Sequence, residues 1–201
     1  MPTDAVQPHH RPAAIVAYAG AVLFVILMAV LHVVQPQRIG DATISKYALG
    51  TAGWMLQGAF LSAGLSYAAL GRLLSGRPAV LSWLTAAAFV VMGAFRIDAV
   101  GPESIASFHG GMHTGAFFVV VVLAHVLMFA RRPEAKSSVL RVLPYIAPVL
   151  VVTGFVWPGI VGALIFRAWT LTLVAWVVLT ALETEASSDL RSRLPEAPVI
   201  V

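Results

Sequence analysis

Six side chains in this sequence have the types and spacing to do chemistry. His109 and His113 stand four apart, which on a helix places them about one turn apart on one face. Asp98 precedes them, His32 closes an earlier apolar run, Ser45 lies in the gap after that run, and Arg167 sits inside the last one. Two imidazoles one turn apart can share a metal ion when a carboxylate completes the shell. Asp98, His109 and His113, with His32 as a fourth ligand, are therefore the candidate set for a zinc-like divalent metal. A water held there would be acidified enough to attack an ester or amide. Arg167 is the candidate partner of an anion or headgroup, and Ser45, in a loop at the same face, is a further candidate ligand or ion-pair residue.

The same residues also read as a structural network. Asp98 can pair with Arg96 or Arg167, the histidines can bond loop carbonyls, and Arg167 can snorkel to an interface. A lone His-x-x-x-His is a weak signal, and the His-Glu-x-x-His of metalloproteases is absent. His125, twelve residues after His113, reads as a satisfied buried histidine. A haem would need a paired ligand at that depth, and no other run supplies one.

The elements that must position these groups follow from hydropathy. Of 201 residues, 59% are hydrophobic and only 11% charged, less than half the usual charged share of a soluble domain. Spanning about 30 Å of hydrocarbon takes roughly 20 apolar residues as a helix. Six runs qualify: 13–35, 47–71, 79–96, 108–130, 139–156 and 160–182. The first is too long for a signal-peptide core and reads as a retained helix. The fifth carries Pro144 and Pro148, each of which removes a backbone donor, so a kinked or tilted helix is expected there. Gly111 and Gly115 form a small-xxx-small pair, expected to pack inside the bundle, the alternative being a contact between copies. The five tryptophans read as interface anchors or packing, Trp157 above all as an anchor.

Charge gives the orientation. With the N-terminus inside, the inner segments hold Arg11, Arg72, Arg77, Arg131, Arg132, Lys136, Arg141, Arg191 and Arg193, and the outer ones only Arg38, Lys46 and Arg96. Nine against three favours both termini on the cytoplasmic side, which an odd helix count would spoil. The expectation is an all-α integral membrane protein, a six-transmembrane-helix bundle, N-in/C-in, in the cytoplasmic membrane. Residues 1–12 form a disordered cytoplasmic tail, 13–183 the transmembrane domain, and 184–201 a C-terminal cytoplasmic tail. On that topology the polar cluster, with Asp41 and Glu103 in the loops, lies at the outer face. Basic residues spread over short gaps argue against nucleic-acid binding. The absence of cysteine excludes disulfides, thiolate metal sites and cysteine nucleophiles.

The order Ile44-Ser45-Lys46-Tyr47-Ala48-Leu49-Gly50 before the second run, Phe95-Arg96-Ile97-Asp98 after the third, His109 and His113 opening the fourth, and Arg167 in the sixth resembles the prokaryotic membrane family catalogued as domain of unknown function 998. The resemblance covers nearly the whole chain after the tail. It implies a six-helix membrane fold with these Ser, Tyr, Asp, His and Arg positions as the shared polar set, and no established activity. Arg96 and Ile97 depart from the small residue or proline expected there, and Arg96 would weaken a metal site at Asp98. A more distant likeness, by analogy only, is to seven-helix zinc hydrolases of the alkaline-ceramidase and adiponectin-receptor type.

Three functional expectations follow. The first is a polytopic protein of unestablished activity serving as a structural or accessory subunit, since no catalytic motif is complete and every loop is short. The second is a metal-dependent hydrolase of lipid-like substrates. The third is a small transporter or channel. Expected partners are membrane lipids and a protein partner or second copy.

Overall fold

The computed structural model describes residues 10–41, 43–99, 107–157 and 159–193. Glu103, most of the N-terminal tail and the end of the C-terminal tail lie outside the described residues. Among the described residues there are six α-helices: α1 His10–Val34, α2 Gly53–Leu73, α3 Gly76–Ala94, α4 Phe108–Arg131, α5 Ser138–Val156 and α6 Gly159–Arg193. Short 3₁₀ turns cover Pro36–Arg38, Ile44–Leu49 and Arg132–Glu134. No strand occurs among the described residues.

Five helices, all but α2, are long and apolar enough to cross a membrane. The surface agrees with a lipid solvent. Ile15, Val22 and Ile26 of α1, Val119, Val122 and Val126 of α4, and Val149, Val152 and Val156 of α5 point outward, while the interior is built largely of alanine, serine and aromatic side chains. Water would make such a surface prone to association; hydrocarbon does not. The chain is thus a multi-pass membrane protein.

α2 is the centre of the bundle and packs along both α1 and α3. Gln57, Ser62, Ser66, Tyr67 and the glycines lower its hydropathy, but its buried face meets helices rather than lipid. Small residues there let backbones approach, and hydroxyls then bond across the gap. A Cβ at Gly20 of α1 would lie 2.6 Å from the Ser62 carbonyl oxygen. Ser66 donates to the Ala17 carbonyl at 2.6 Å, and Ser82 of α3 donates to the Tyr67 carbonyl at 2.7 Å. α6 closes the bundle by packing against α1 and, on its other side, α5.

The helix limits differ from the apolar runs in instructive ways. α2 begins at Gly53 and not near residue 47, because 44–49 winds as a 3₁₀ turn that Gly50 ends in extended conformation. α6 continues to Arg193, well beyond the apolar run, on a segment held by Glu183 and Glu185. α5 stays one helix through Pro144 and Pro148. The Gly111–Gly115 pair does not pack inside the bundle: both face outward, and nothing lies within 4 Å of a Cβ built at either. Trp157 is exposed at the end of α5, as an anchor should be, whereas Trp169 and Trp176 are core residues.

Candidate functional site

The C-terminus of α1, the N-terminus of α2, the C-terminus of α3, the N-terminus of α4 and the first turns of α6 meet at one end of the bundle. The segment 35–52 roofs that end. Pro36, with φ preset and no amide to satisfy, starts its first turn. Asp41 ties the segment together, with Arg38 at 3.3 Å and Lys46 at 3.7 Å.

His113 stands about 7 Å into α4 by helical rise and is 2% exposed. Its Nδ1 lies 2.9 Å from the Phe95 carbonyl oxygen and 3.1 Å from that of Met92, and its Nε2 lies 2.9 Å from Ser45 Oγ. Carbonyls only accept, so Nδ1 carries the proton and Nε2 accepts from the Ser45 hydroxyl. The Phe60 ring packs beside the imidazole at 5.7 Å. Ser45 itself is 5% exposed.

His109, one turn earlier, is exposed and rests on Phe95 at 5.5 Å between ring centroids. Asp98 serves α4 as a cap. Its Oδ2 accepts from the Ser107 amide at 2.7 Å and its Oδ1 from the Ser107 hydroxyl at 2.5 Å, while Ser107 Oγ accepts from the Gly110 amide. Orphan amides at a helix start favour such a carboxylate. A Cβ at Gly110 would lie 2.0 Å from Asp98 Oδ2, so a larger residue there would push the carboxylate out of this cap. The two bonds from Ser107 hold the Asp98 carboxyl below the ordinary carboxylate range, with the nearby His109 adding to the shift.

Arg167 and His32 make a separate pair. Arg167 Nε donates to His32 Nε2 at 2.8 Å, and His32 Nδ1 in turn bonds the Met28 carbonyl at 2.6 Å. The guanidinium also reaches the carbonyls of Ala163 at 2.8 Å and of Asp41 and Arg38 at 3.4 Å, and lies 5.9 Å above the Tyr47 ring. It thereby staples the roof to α6. His125 bonds the Val121 carbonyl and accepts from Trp169 Nε1, which satisfies both nitrogens.

The six candidate side chains therefore divide into three groups: Ser45 with His113, His32 with Arg167, and Asp98 with Ser107 beside exposed His109. Among the described residues no three His, Asp or Glu side chains gather closely enough to hold a metal ion. Ser45 pairs with His113. Asp98 makes no ion pair with Arg96 or Arg167 among the described residues.

Beneath the roof lies an apolar cavity of about 40 Å³, room for roughly three waters or the end of a hydrocarbon chain. Phe24, Ser45, Phe60, Tyr67, Phe166 and Trp169 are among its walls. The Tyr67 hydroxyl, 3% exposed, has no hydrogen-bond partner among the described residues. Beside the cavity a groove of about 210 Å³ runs between α1 and α6 toward His32 and Arg167, and Phe24, Ile44 and Thr170 line both spaces. Sequence reasoning missed Tyr67, Gln35 and the Met92 and Phe95 carbonyls at the end of α3. Gln35 is buried under Gly50, where a Cβ would lie 1.6 Å from its Oε1. A glutamine beside a proline after an apolar run carries no sign of that burial, and backbone carbonyls carry no sequence signal.

No curated protein and no solved structure matches the chain. The family described as "Protein of unknown function (DUF998)" matches residues 18–183 and so most of the molecule, and the chain belongs to that family.

Proposed function

We propose that this protein is a six-span bundle of the cytoplasmic membrane, with α2 as the sixth span and both termini on the cytoplasmic side, that binds the hydrocarbon chain of a membrane lipid between α1 and α6. The observation that carries the binding reading is the pair of adjoining apolar spaces. The groove between α1 and α6 shares Phe24, Ile44 and Thr170 with the interior cavity, and its walls are almost wholly apolar. Hydrocarbon is the ligand that surrounds such a surface, and apolar walls offer other solutes nothing to bond. The guanidinium of Arg167 at the groove's polar end suits an anionic headgroup.

A photoactivatable lipid with its reactive carbon near the chain terminus, reconstituted with the protein in vesicles, tests this. Cross-links are expected to concentrate at Phe24, Ile44 and Thr170, and Ala63→Phe, which fills the cavity from α2, should reduce them several-fold. Cross-links spread evenly over the lipid-facing helices and indifferent to Ala63→Phe would sink the reading. The orientation rests on the nine-to-three distribution of basic residues. Because the chain has no cysteine, single introduced cysteines at residue 75 and at residue 51 can be labelled from each side without background. Labelling of residue 75 from outside in intact cells would overturn the topology.

A further inference from the structure

The lipid-binding reading gives Ser45 and His113 no task, yet their geometry is that of a nucleophile and its base. Ser45 Oγ lies 2.9 Å from His113 Nε2. The Nδ1 proton is fixed on the far side of the ring by the Met92 and Phe95 carbonyls. That leaves the Nε2 lone pair facing the hydroxyl, the tautomer a general base requires. α3 ends at Ala94, so no following turn of α3 takes up the Met92 carbonyl. Such carbonyls concentrate the partial negative charge of a helix C-terminus. They stand where a triad places its carboxylate, and they hold the ring in this tautomer and orientation.

Two further observations bear on a ligand in the cavity that Ser45 lines. Tyr67, deeper along α2, lines the same cavity, and its hydroxyl has no hydrogen-bond partner among the described residues. Ile44, the residue before Ser45, also forms the wall of the α1–α6 groove. Ile44 therefore borders both spaces, and Ser45 follows it in the cavity wall.

We infer that Ser45 and His113 form an acyl-transfer site whose substrate is the carboxylic ester of a lipid held in the cavity; the inference rests on the lipid-binding reading. Ser45 Oγ bonds to the ester carbonyl carbon as its proton passes to His113 Nε2. The tetrahedral adduct collapses, the bond to the leaving alcohol breaks, and that alcohol takes the proton from His113. Water, or a second alcohol, then attacks the Ser45 ester while His113 accepts its proton, and the acyl group leaves as the acid or a new ester with Ser45 reprotonated. Ser62, Ser66 and Ser82 are equally buried but donate to backbone carbonyls. They are hydroxyls without a base and serve as internal controls.

The test is labelling of the purified full chain in detergent with two alkyl fluorophosphonates, one with a long chain and one with two carbons, followed by peptide mass spectrometry. The expected result is an adduct on Ser45 and none on Ser62, Ser66 or Ser82. Labelling by the long probe should be at least tenfold faster than by the short one, should vanish in Ser45→Ala, and should slow about a hundredfold in His113→Gln, with folding checked by thermal melting. A folded protein with no adduct on Ser45 from either probe overturns the acyl-transfer site, and the lipid cross-linking then stands by itself. Ser45 labelled equally by both probes overturns the cavity as a chain site while leaving the pair reactive. Undiminished labelling in a folded His113→Gln overturns the base. Should that variant fail to fold, the contrast between Ser45 and the three control serines in the unaltered chain still decides, because a hydroxyl that only fastens helices has no reason to react first.

Discussion

At the Ser45 end of the bundle, His113 and Ser45 are buried and Arg167 and His32 half-buried, all bonded to backbone carbonyls or to one another: His113 to Met92, Phe95 and Ser45, and Arg167 to His32 and three carbonyls. At the opposite end the contacts of Lys136 and Glu134 are exposed, while Glu183 and Arg131 are half-buried. Glu183 accepts from the Lys136 and Ser137 amides at the start of α5, Lys136 Nζ donates to Ser187, and Arg131 pairs with Glu134. Cutting a buried bond strands groups that water cannot reach, at about 1–3 kcal/mol for each stranded group, whereas exposed ion pairs contribute about 0–1 kcal/mol. Polar residues that are bonded out of reach of water are thus costly to lose, and those at the surface are not. A site that must hold a proton in a fixed place belongs among the former.

The contrast can be broken most sharply at His113. His113→Leu strands two carbonyls and the Ser45 hydroxyl and should cost about 3 kcal/mol, read as a fall of roughly 10 °C in the melting temperature in detergent. Arg167→Leu comes next, at about 2 kcal/mol, since it unties the roof from α6 and leaves His32 Nε2 without its donor. Arg167→Lys should recover only part of this, because an ammonium cannot fork to a histidine and three carbonyls together. Melting temperatures of the two variants check both statements, and a lysine variant as stable as the parent would contradict the second.

Asp98 sharpens the comparison through pH. Its carboxyl is held below the ordinary carboxylate range in the folded chain, so it binds fewer protons folded than unfolded. The capping contribution is therefore complete above the unfolded pKa and disappears as the pH falls through the lower folded value. Hydrogen exchange at the Ser107 and Gly110 amides should lose protection over that acid window, and Asp98→Asn should abolish the pH dependence. The smallest effect is expected at the opposite end, where Lys136→Ala, which removes an exposed bond to Ser187, should change stability by less than about 0.5 kcal/mol. A larger loss would mean that the two ends are not as different as their burial implies.

Hydropathy made the helices legible. A run of twenty apolar residues has one low-energy form in lipid, so α1, α3, α4, α5 and α6 were evident, with limits blurred where Gly50 and Gly53 frame the start of α2 and where α6 runs on into its polar tail. The gathering of His32, Ser45, Asp98, His113 and Arg167 at one end was legible too, because a helix that crosses must deliver its two ends to opposite faces. Their pairing was not. His109 and His113 share a spacing that suits a metal ion, yet one faces outward onto Phe95 and the other inward to Ser45. Which way a helix turns is read in soluble proteins from an apolar stripe. In lipid the outside is as apolar as the core, so that stripe is faint and packing alone sets the rotation. The sequence determined that these residues would meet at one end; only the packing of α4 against α3 and the roof decided that His113 would take Ser45 as its partner.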